Sequence, residues 1–541
     1  MHQNSKKSIQ LPIIVAITLA LGIFIGSNML SSSAPPNAGF ANNLTKFRQV
    51  LSHIENDYVD EVDSDQLVET AITNMLRELD PHTSYIPAKQ LNLIQSRLEG
   101  NYEGIGVEFS LIRDTIQVVT PLSGGPSQKL GIRAGDKIIK VDDEIVAGIG
   151  ITNQGVIERL RGPGGSEVLV SIFRQGEKEL LEFTIERDVI PQYSVDVSYM
   201  VNKETGYIKV ARFANSTYLE FKEALFKLKD RGMQHLILDL TGNPGGYLSR
   251  AVQISDEFLA GKQMIVYTDG KDRYSEKHFS GEEGDFEKGS LIIMVDEGSA
   301  SASEIVAGAM QDHDRAIIVG RRSFGKGLVQ MPIELTDGSE LRLTISRYYT
   351  PSGRSIQKAY EKGNLDSYYL EAYDRFENGE IYSSDSIKYQ DSLSFETDNG
   401  RTVYGGGGIT PDYFVPLDTT TGSRYLNRLF SSNSVQEYTL NYAQKNEQDL
   451  VKIGLQNFIE TFEVSPKMLE ELIGTGEKND VIFVKNEFER SKEILALLTK
   501  AYIGRAIWEN EGFFPIYNEQ DEIFQKAVQL VDEAEALVSN Q

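Results

Sequence analysis

No cysteine occurs among the 541 residues of the chain. That excludes disulfides, thiolate metal sites, a cysteine nucleophile and a lipid-modified N-terminal cysteine. Histidine is scarce, at six residues, and shows no HExxH or comparable spacing, so neither a metal nor another cofactor is expected. Basic charge is outweighed: 54 lysines and arginines face 79 acids, for a formal net charge of -25. Binding to a phosphate backbone needs a basic footprint, so nucleic acid is not an expected partner. Internal repeats are lacking, and so is the GxSxG elbow of the α/β-hydrolases. What remains, 40% hydrophobic and 25% charged residues, is the balance of a globular chain long enough for three or four domains.

One long uncharged run is present. IQLPIIVAITLALGIFIGSNML, residues 9–30, follows Lys6 and Lys7, and its length is near the ~20 residues that span a bilayer as a helix. The lysines place the N-terminus in the cytoplasm. A retained membrane anchor with an exported body is the expectation, a cleaved signal peptide the competing reading. SSSAPPNAG, residues 31–39, reads as a linker.

Residues 41–99 read as helices interrupted by LDPHTSYIP, 79–87. Short β-type runs with glycine punctuation fill about 102–188, with one helix at Asn153–Leu160. Between 205 and 350 strands alternate with helices: HLILDL, TGNPGG and a helix over Tyr247–Leu259, MIVY, LIIMV, a helix over Ala302–Gln311, then AIIVG. That succession predicts right-handed crossovers and a mainly parallel sheet, with sites at the carboxyl ends of its strands. The TGNPGG and GSASAS loops both lie at such ends. Residues 355–400 read as a polar, irregular, tyrosine-rich stretch, and the chain beyond about 424 as helical.

GSASAS carries three serines. Helix capping accounts for one of them, yet a serine at a helix N-terminus with a free following amide also has the construction of a nucleophile beside an oxyanion donor. GRRSFGKGLVQ, 320–330, superficially matches a phosphate loop. Glycine stands where serine or threonine should hold magnesium, and LVQMPIEL alternates like a strand, which argues against a nucleotide. Lys326, between two glycines, is either a surface loop residue or, if desolvated, a usable base.

GSASASEI, followed 25 residues after its middle serine by FGKG and four later by glutamine, resembles the carboxy-terminal processing (tail-specific) serine proteases. LDPHTSYI, GIGVEF, GIRAGDKIIKVDD, LDLTGNPGG, YYTPSGRSIQ and GITPD extend the resemblance over about 44–415. It implies Ser301 as nucleophile, Lys326 as general base and Gln330 as the residue orienting the lysine, in an apolar pocket without a negative neighbour. It implies an oxyanion hole from Ala302 with Gly245 or Gly246, and a PDZ domain whose loop Gly104, Ile105, Gly106 and Val107 takes a free carboxylate. Ile105, Val107 and Phe109 suggest that the groove reads apolar tail residues, and Arg161 is a turn residue or a signal between modules.

The expected architecture is multidomain α/β: a PDZ-like β-rich module inserted ahead of an enoyl-hydratase/Clp-protease-like serine protease core, with helical N- and C-terminal regions. The expected boundaries are 1–30 anchor, 31–40 linker, 41–101 helical region, 102–188 PDZ domain, 189–423 protease core and 424–541 helical extension. The extension is expected as a regulatory or homo-oligomer contact. The expected function is a membrane-anchored endopeptidase of the cell envelope (periplasm) that cuts protein substrates near free, apolar C-termini. A catalytically silent PDZ scaffold is the alternative.

Overall fold

The computed structural model describes residues 38–539 apart from 282 and 390. The apolar run 9–30 lies outside the described residues, and among the described residues no helix is long and apolar enough to cross a membrane. The chain divides into two units, Met1–Met75 and Leu76–Gln541. Described in the first are helix Ala38–Asp57 and most of helix Ser64–Arg77.

In the second unit, six strands form a sheet in the order Val195–Met200, Thr205–Val210, His235–Asp239, Ser290–Val295, Ile317–Gly320, Tyr413–Phe414. The first pair is antiparallel and the rest are parallel. The runs of the central strands, HLILD, SLIIMV and IIVG, are apolar almost throughout, so both faces must be covered there. Alternate residues, such as Leu236, Leu238, Ile293 and Ile318, pack with Phe221, Ala251, Ile305 and Val306 of the crossover helices. Ile237, Ile292, Met294 and Val319 face the other way, against Ile523, Phe524, Ala527 and Leu530. The C-terminal helices Glu522–Gln529 and Val531–Ser539 thus contribute one layer of the α/β core. Each large apolar side chain buried there contributes about 1.5–3 kcal/mol.

MIVY departs from expectation. Strand Met264–Gly270 belongs to a second, antiparallel sheet with Glu276–Phe279, Glu340–Tyr349, Leu328–Glu334 and Ser84–Ile86. Four consecutive apolar residues do not reveal which sheet a strand joins. The stretch 355–400 is also more ordered than its polarity suggested: Asn364 caps a helix over Leu365–Glu377 whose Tyr368 is buried.

The β-rich module has the order Val107–Leu111, Ile116–Pro121, Lys137–Val141, Glu167–Phe173, Leu181–Glu186, all antiparallel. Asn101–Gly104 and Asp188–Pro191 pair antiparallel where the chain enters and leaves it. Helix Asn153–Leu160 is capped by Thr152, whose hydroxyl accepts from Gly155 N–H.

Candidate active site

Three loops meet at the carboxyl ends of the parallel strands: TGNPGG after His235–Asp239, the 296–301 loop after Ser290–Val295, and 321–327 after Ile317–Gly320. Hydrogen bonds interlock them. Asp296 Oδ1 accepts from Gly242 N–H at 2.7 Å and Gly298 N–H at 3.0 Å. The Asn243 carbonyl accepts from Ala300 N–H at 2.9 Å and from Ser303 Oγ at 3.0 Å, while Ser299 Oγ donates to the Leu240 carbonyl at 2.8 Å. Two of the three serines are thereby committed to holding the turn. Ser301 is left.

Ser301 is the N-cap of helix Ala302–Asp312, at φ 58° and ψ -111°. L-residues rarely adopt this region, at a cost of about 1–3 kcal/mol, unless the surroundings over-determine it. Here they do. Glu304 Oε2 accepts from Ser301 N–H at 2.7 Å and from Lys326 N–H at 2.9 Å. Its other oxygen accepts from Gly325 N–H at 2.7 Å and from the Ser323 hydroxyl. On the opposite side the Tyr348 hydroxyl reaches the Ser301 carbonyl at 3.0 Å and also contacts the Lys326 carbonyl. Ser301 and Lys326 are therefore tied together at both their N–H and their C=O groups. Burial raises the pKa of both Glu304 and Tyr348, so the phenol keeps its proton and remains a donor.

Burial lowers the Lys326 ammonium below its ordinary pKa. The expectation of an apolar pocket without negative neighbours is corrected: Glu304 and Asp80 push the lysine up and Arg342 pushes it down, but desolvation is the largest influence. His82 lies close enough for Lys326 to act on its charge. Burial first, then Lys326, brings the imidazole down to about 3, and His82 Nε2 sits 2.8 Å from the Tyr368 hydroxyl. Both influences favour the neutral imidazole.

Gln330 lies on Leu328–Glu334, just after a bulge between Val329 and Gln330; bulges re-aim side chains. Its Nε2 donates to the Leu328 carbonyl at 3.1 Å and to Thr344 Oγ1 at 3.3 Å. Thr344 Oγ1 in turn donates to Asp80 Oδ1 at 3.0 Å. Asp80 is held by the N–H groups of His82 and Thr83, both at 2.9 Å, and by the Thr83 hydroxyl at 2.6 Å. With Nε2 committed, Gln330 presents Oε1 to a donor. Among the described residues no hydrogen bond joins Lys326 Nζ to Ser301 Oγ or to Gln330.

Both glycines of the expected oxyanion hole have positive φ, 94° at Gly245 and 149° at Gly246. A Cβ on Gly245 would lie 2.7 Å from Ser301 Cβ and 2.9 Å from Ala302 N, and one on Gly246 would lie 2.1 Å from the Phe213 carbonyl oxygen. Only glycine fits either position. Gly245 N–H is already given to Asn243 Oδ1 at 2.8 Å. Among the described residues, the N–H groups of Gly246 and Ala302 donate to no group.

In the β-rich module, Val107–Leu111 is an edge strand that, among the described residues, pairs only with Ile116–Pro121. A cleft of about 1040 Å³ runs beside it, walled across by Ile157 and Leu160. Gly104 ends the preceding strand, and Gly106, at φ 72°, gives its carbonyl to Leu122 N–H. The Ile105 carbonyl accepts from Ser127 N–H and Oγ. Ile105 and Val107 both line this cleft, with most of each side chain packed into the module's own core. Period-2 alternation turns them inward, so the edge offers backbone. The Arg161 guanidinium lies 4.3 Å from the centre of the Tyr102 ring.

Glu304, Tyr348, Asp80 and Thr344 were not singled out from sequence. Glu304 had a signal, because the S-x-x-E spacing from Ser301 is that of a capping box. The other three meet only through folding.

The profile of peptidase family S41 matches residues 204–363, that of the activating protease CtpB N-terminal domain matches 25–90, and that of a family of unknown function matches 425–509. A carboxy-terminal-processing protease of Bartonella bacilliformis is 35% identical over 350 residues, 63% of this chain and 80% of that protein. The carboxy-terminal processing protease CtpB of Bacillus subtilis is 32% identical over 381 residues, 68% of this chain and 78% of that protein. Among solved structures, a photosystem II D1 C-terminal processing protease matches with TM-score 0.35 and 24% identity, over 68% of this chain and 92% of that one. A chain so similar in sequence to these enzymes, over most of their length, belongs to peptidase family S41, the carboxy-terminal processing proteases, and is a serine-type peptidase.

Proposed function

We propose that the chain is a cell-envelope endopeptidase in which Ser301 attacks the scissile carbonyl and Lys326 accepts its proton. The observation that carries this reading is the double tie between Ser301 and Lys326 through Glu304 and Tyr348. It explains how a loop lysine 25 residues away in sequence is held beside a strained serine. The attacking hydroxyl loses its proton to neutral Lys326 Nζ as the serine–carbonyl bond forms. The lysine returns that proton to the leaving amine as the acyl–nitrogen bond breaks. Water then cleaves the acyl-enzyme with the same lysine as base. Gln330 Oε1 accepts from the lysine amine without adding a charge. The oxyanion is held by Ala302 N–H at the helix N-terminus and by Gly246 N–H.

Substrate tails add to the free edge of Val107–Leu111, and backbone amides around Gly104–Val107 take the terminal carboxylate. The run 9–30 anchors the body to the membrane on its exported side. A silent scaffold has no need of a desolvated lysine beside a strained serine, which favours the enzyme. The test is labelling with a fluorophosphonate in the wild-type chain and in Ser301→Ala. Modification at Ser301 and hydrolysis that disappears together with it are expected, and labelling elsewhere with retained hydrolysis would sink the assignment. Digestion of residues 41–541 by protease added to spheroplasts tests the exported body, and their protection would refute it.

A further inference from the structure

The C-terminal extension reaches the tail cleft, and it does so at an unusual turn. Helix Lys485–Tyr517 breaks at Trp508 (φ -125°, ψ 22°) and Glu509 (φ 52°, ψ -140°). Its two limbs fold back on each other: a Cβ on Gly504 would lie 2.3 Å from the Gly512 carbonyl oxygen, and one on Gly512 2.4 Å from that of Gly504. Two glycines at the crossing let the backbones touch. The turn projects Arg505, Ile507, Trp508 and Glu509 into the lining of the same cleft that Val107–Phe109 and Ile157 bound.

Contacts to both neighbours hold this wall in place. Arg505 reaches both carboxylate oxygens of Glu108, on the edge strand, at 3.0 Å. Asn510 Nδ2 donates to the Asp196 carbonyl at 3.0 Å, on the first strand of the protease sheet. Elsewhere the extension grips the module through Arg113 with Glu437 at 3.1 Å and through Arg133 with Glu447 at 3.2 Å. Asn433 Nδ2 donates to the Leu111 carbonyl at 3.0 Å, which closes the far end of the edge.

We propose that the C-terminal extension is the third wall of the tail groove, with Arg505 and Trp508 contacting the extended substrate segment that pairs with Val107–Ser110. This rests on the tail-binding reading above. The occupant follows from charge and geometry. Unopposed, Glu108 would repel an incoming carboxylate, and Arg505 neutralises it. The paired stretch ends where Asn433 occupies Leu111, about four residues or ~13 Å of extended chain along the edge. A cleft of about 1040 Å³ has room for that segment and its side chains.

Trp508 is the only tryptophan in the chain, so it reports on the wall directly. The experiment uses full-length Ser301→Ala and a tryptophan-free peptide with three small apolar C-terminal residues and a free carboxylate. Binding is followed by anisotropy of a labelled copy and by Trp508 emission. The expected result is an emission change that saturates with the same Kd as the anisotropy. Arg505→Glu should weaken the peptide at least tenfold. Constant Trp508 emission on a peptide that binds by anisotropy overturns the wall, as does Arg505→Glu affinity within twofold of wild type. A peptide that fails to bind at all refutes the tail reading, and the wall falls with it.

Discussion

The junction around Ser301 and the cleft beside Val107–Leu111 lie in one chain but are built on opposite principles. At the junction every loop is locked to the next: one buried carboxylate, Glu304, gathers three backbone N–H groups and a hydroxyl. The cleft has an open backbone edge, and its walls come from three parts of the chain that meet through a few ion pairs. Chemistry needs atoms held in place and a lysine kept dry, whereas recognition needs unspent hydrogen bonds and room for a flexible chain. Substitutions at the junction should therefore act on kcat, and those at the cleft on KM.

Ser301→Ala should have the largest effect, a loss on the order of a millionfold in kcat with the fold intact. Ser301→Gly should be as inactive but about 1 kcal/mol more stable than Ser301→Ala, because glycine relieves the positive φ; thermal unfolding of the two variants checks this. If both melt alike, strain at residue 301 is not stored in the native state. Lys326→Ala should cost about 10³–10⁴-fold, and Lys326→Arg should not recover it, since guanidinium stays protonated. Full activity in Lys326→Arg would exclude the lysine as base.

Asp80→Asn probes the seam between positioning and charge. Misplacement of Gln330 through Thr344 should lower kcat by up to about 100-fold. The pH profile supplies the sign. In the proposed mechanism neutral Lys326 is the active form, so activity should rise with pH through its pKa. Asp80 favours the ammonium, and its removal should move that rising limb to lower pH. Arg342 disfavours the ammonium, so Arg342→Gln should move the limb to higher pH. Two limbs that stay put would leave Asp80 a structural residue only.

At the cleft, amidating the tail of a peptide should weaken its binding about ten- to a hundredfold, the worth of a charge-assisted contact of roughly 1.5–3 kcal/mol. Isothermal titration of matched acid and amide peptides measures this, and equal affinities would remove carboxylate recognition. The smallest effect should come from Gly504→Ala, where an added methyl meets the opposing limb and costs about 1–3 kcal/mol of stability. Tail affinity should fall while fluorophosphonate labelling is unchanged. A variant as stable as wild type would mean that the hairpin can open without cost.

Local signals served well where a side chain's role depends on near neighbours. GSASAS at a strand end, the glycines of NPGG, and the glycine-flanked Lys326 were all visible as local features, and so was the helix Asn153–Leu160, whereas its Thr152 cap was not singled out. Long-range pairings were not. MIVY read as a parallel strand because periodicity carries no information about partners. The lysine pocket was expected to be apolar, yet the structure brings Asp80, from far upstream in the sequence, and Glu304 to it.

The chain by itself determined the strand runs, the glycine positions that no side chain can replace, and the apolar length of segments that must be buried on both faces, because sterics and hydrophobic patterning act within a few residues. Tertiary structure alone decided that the last helices cover the second face of the protease sheet, that Tyr348 and Glu304 join Ser301 to Lys326, and that a helical hairpin around Trp508 borders the cleft beside Val107–Leu111. Each of those depends on packing between segments far apart in the chain, where contact is settled by which surfaces remain to be buried once every local element has formed.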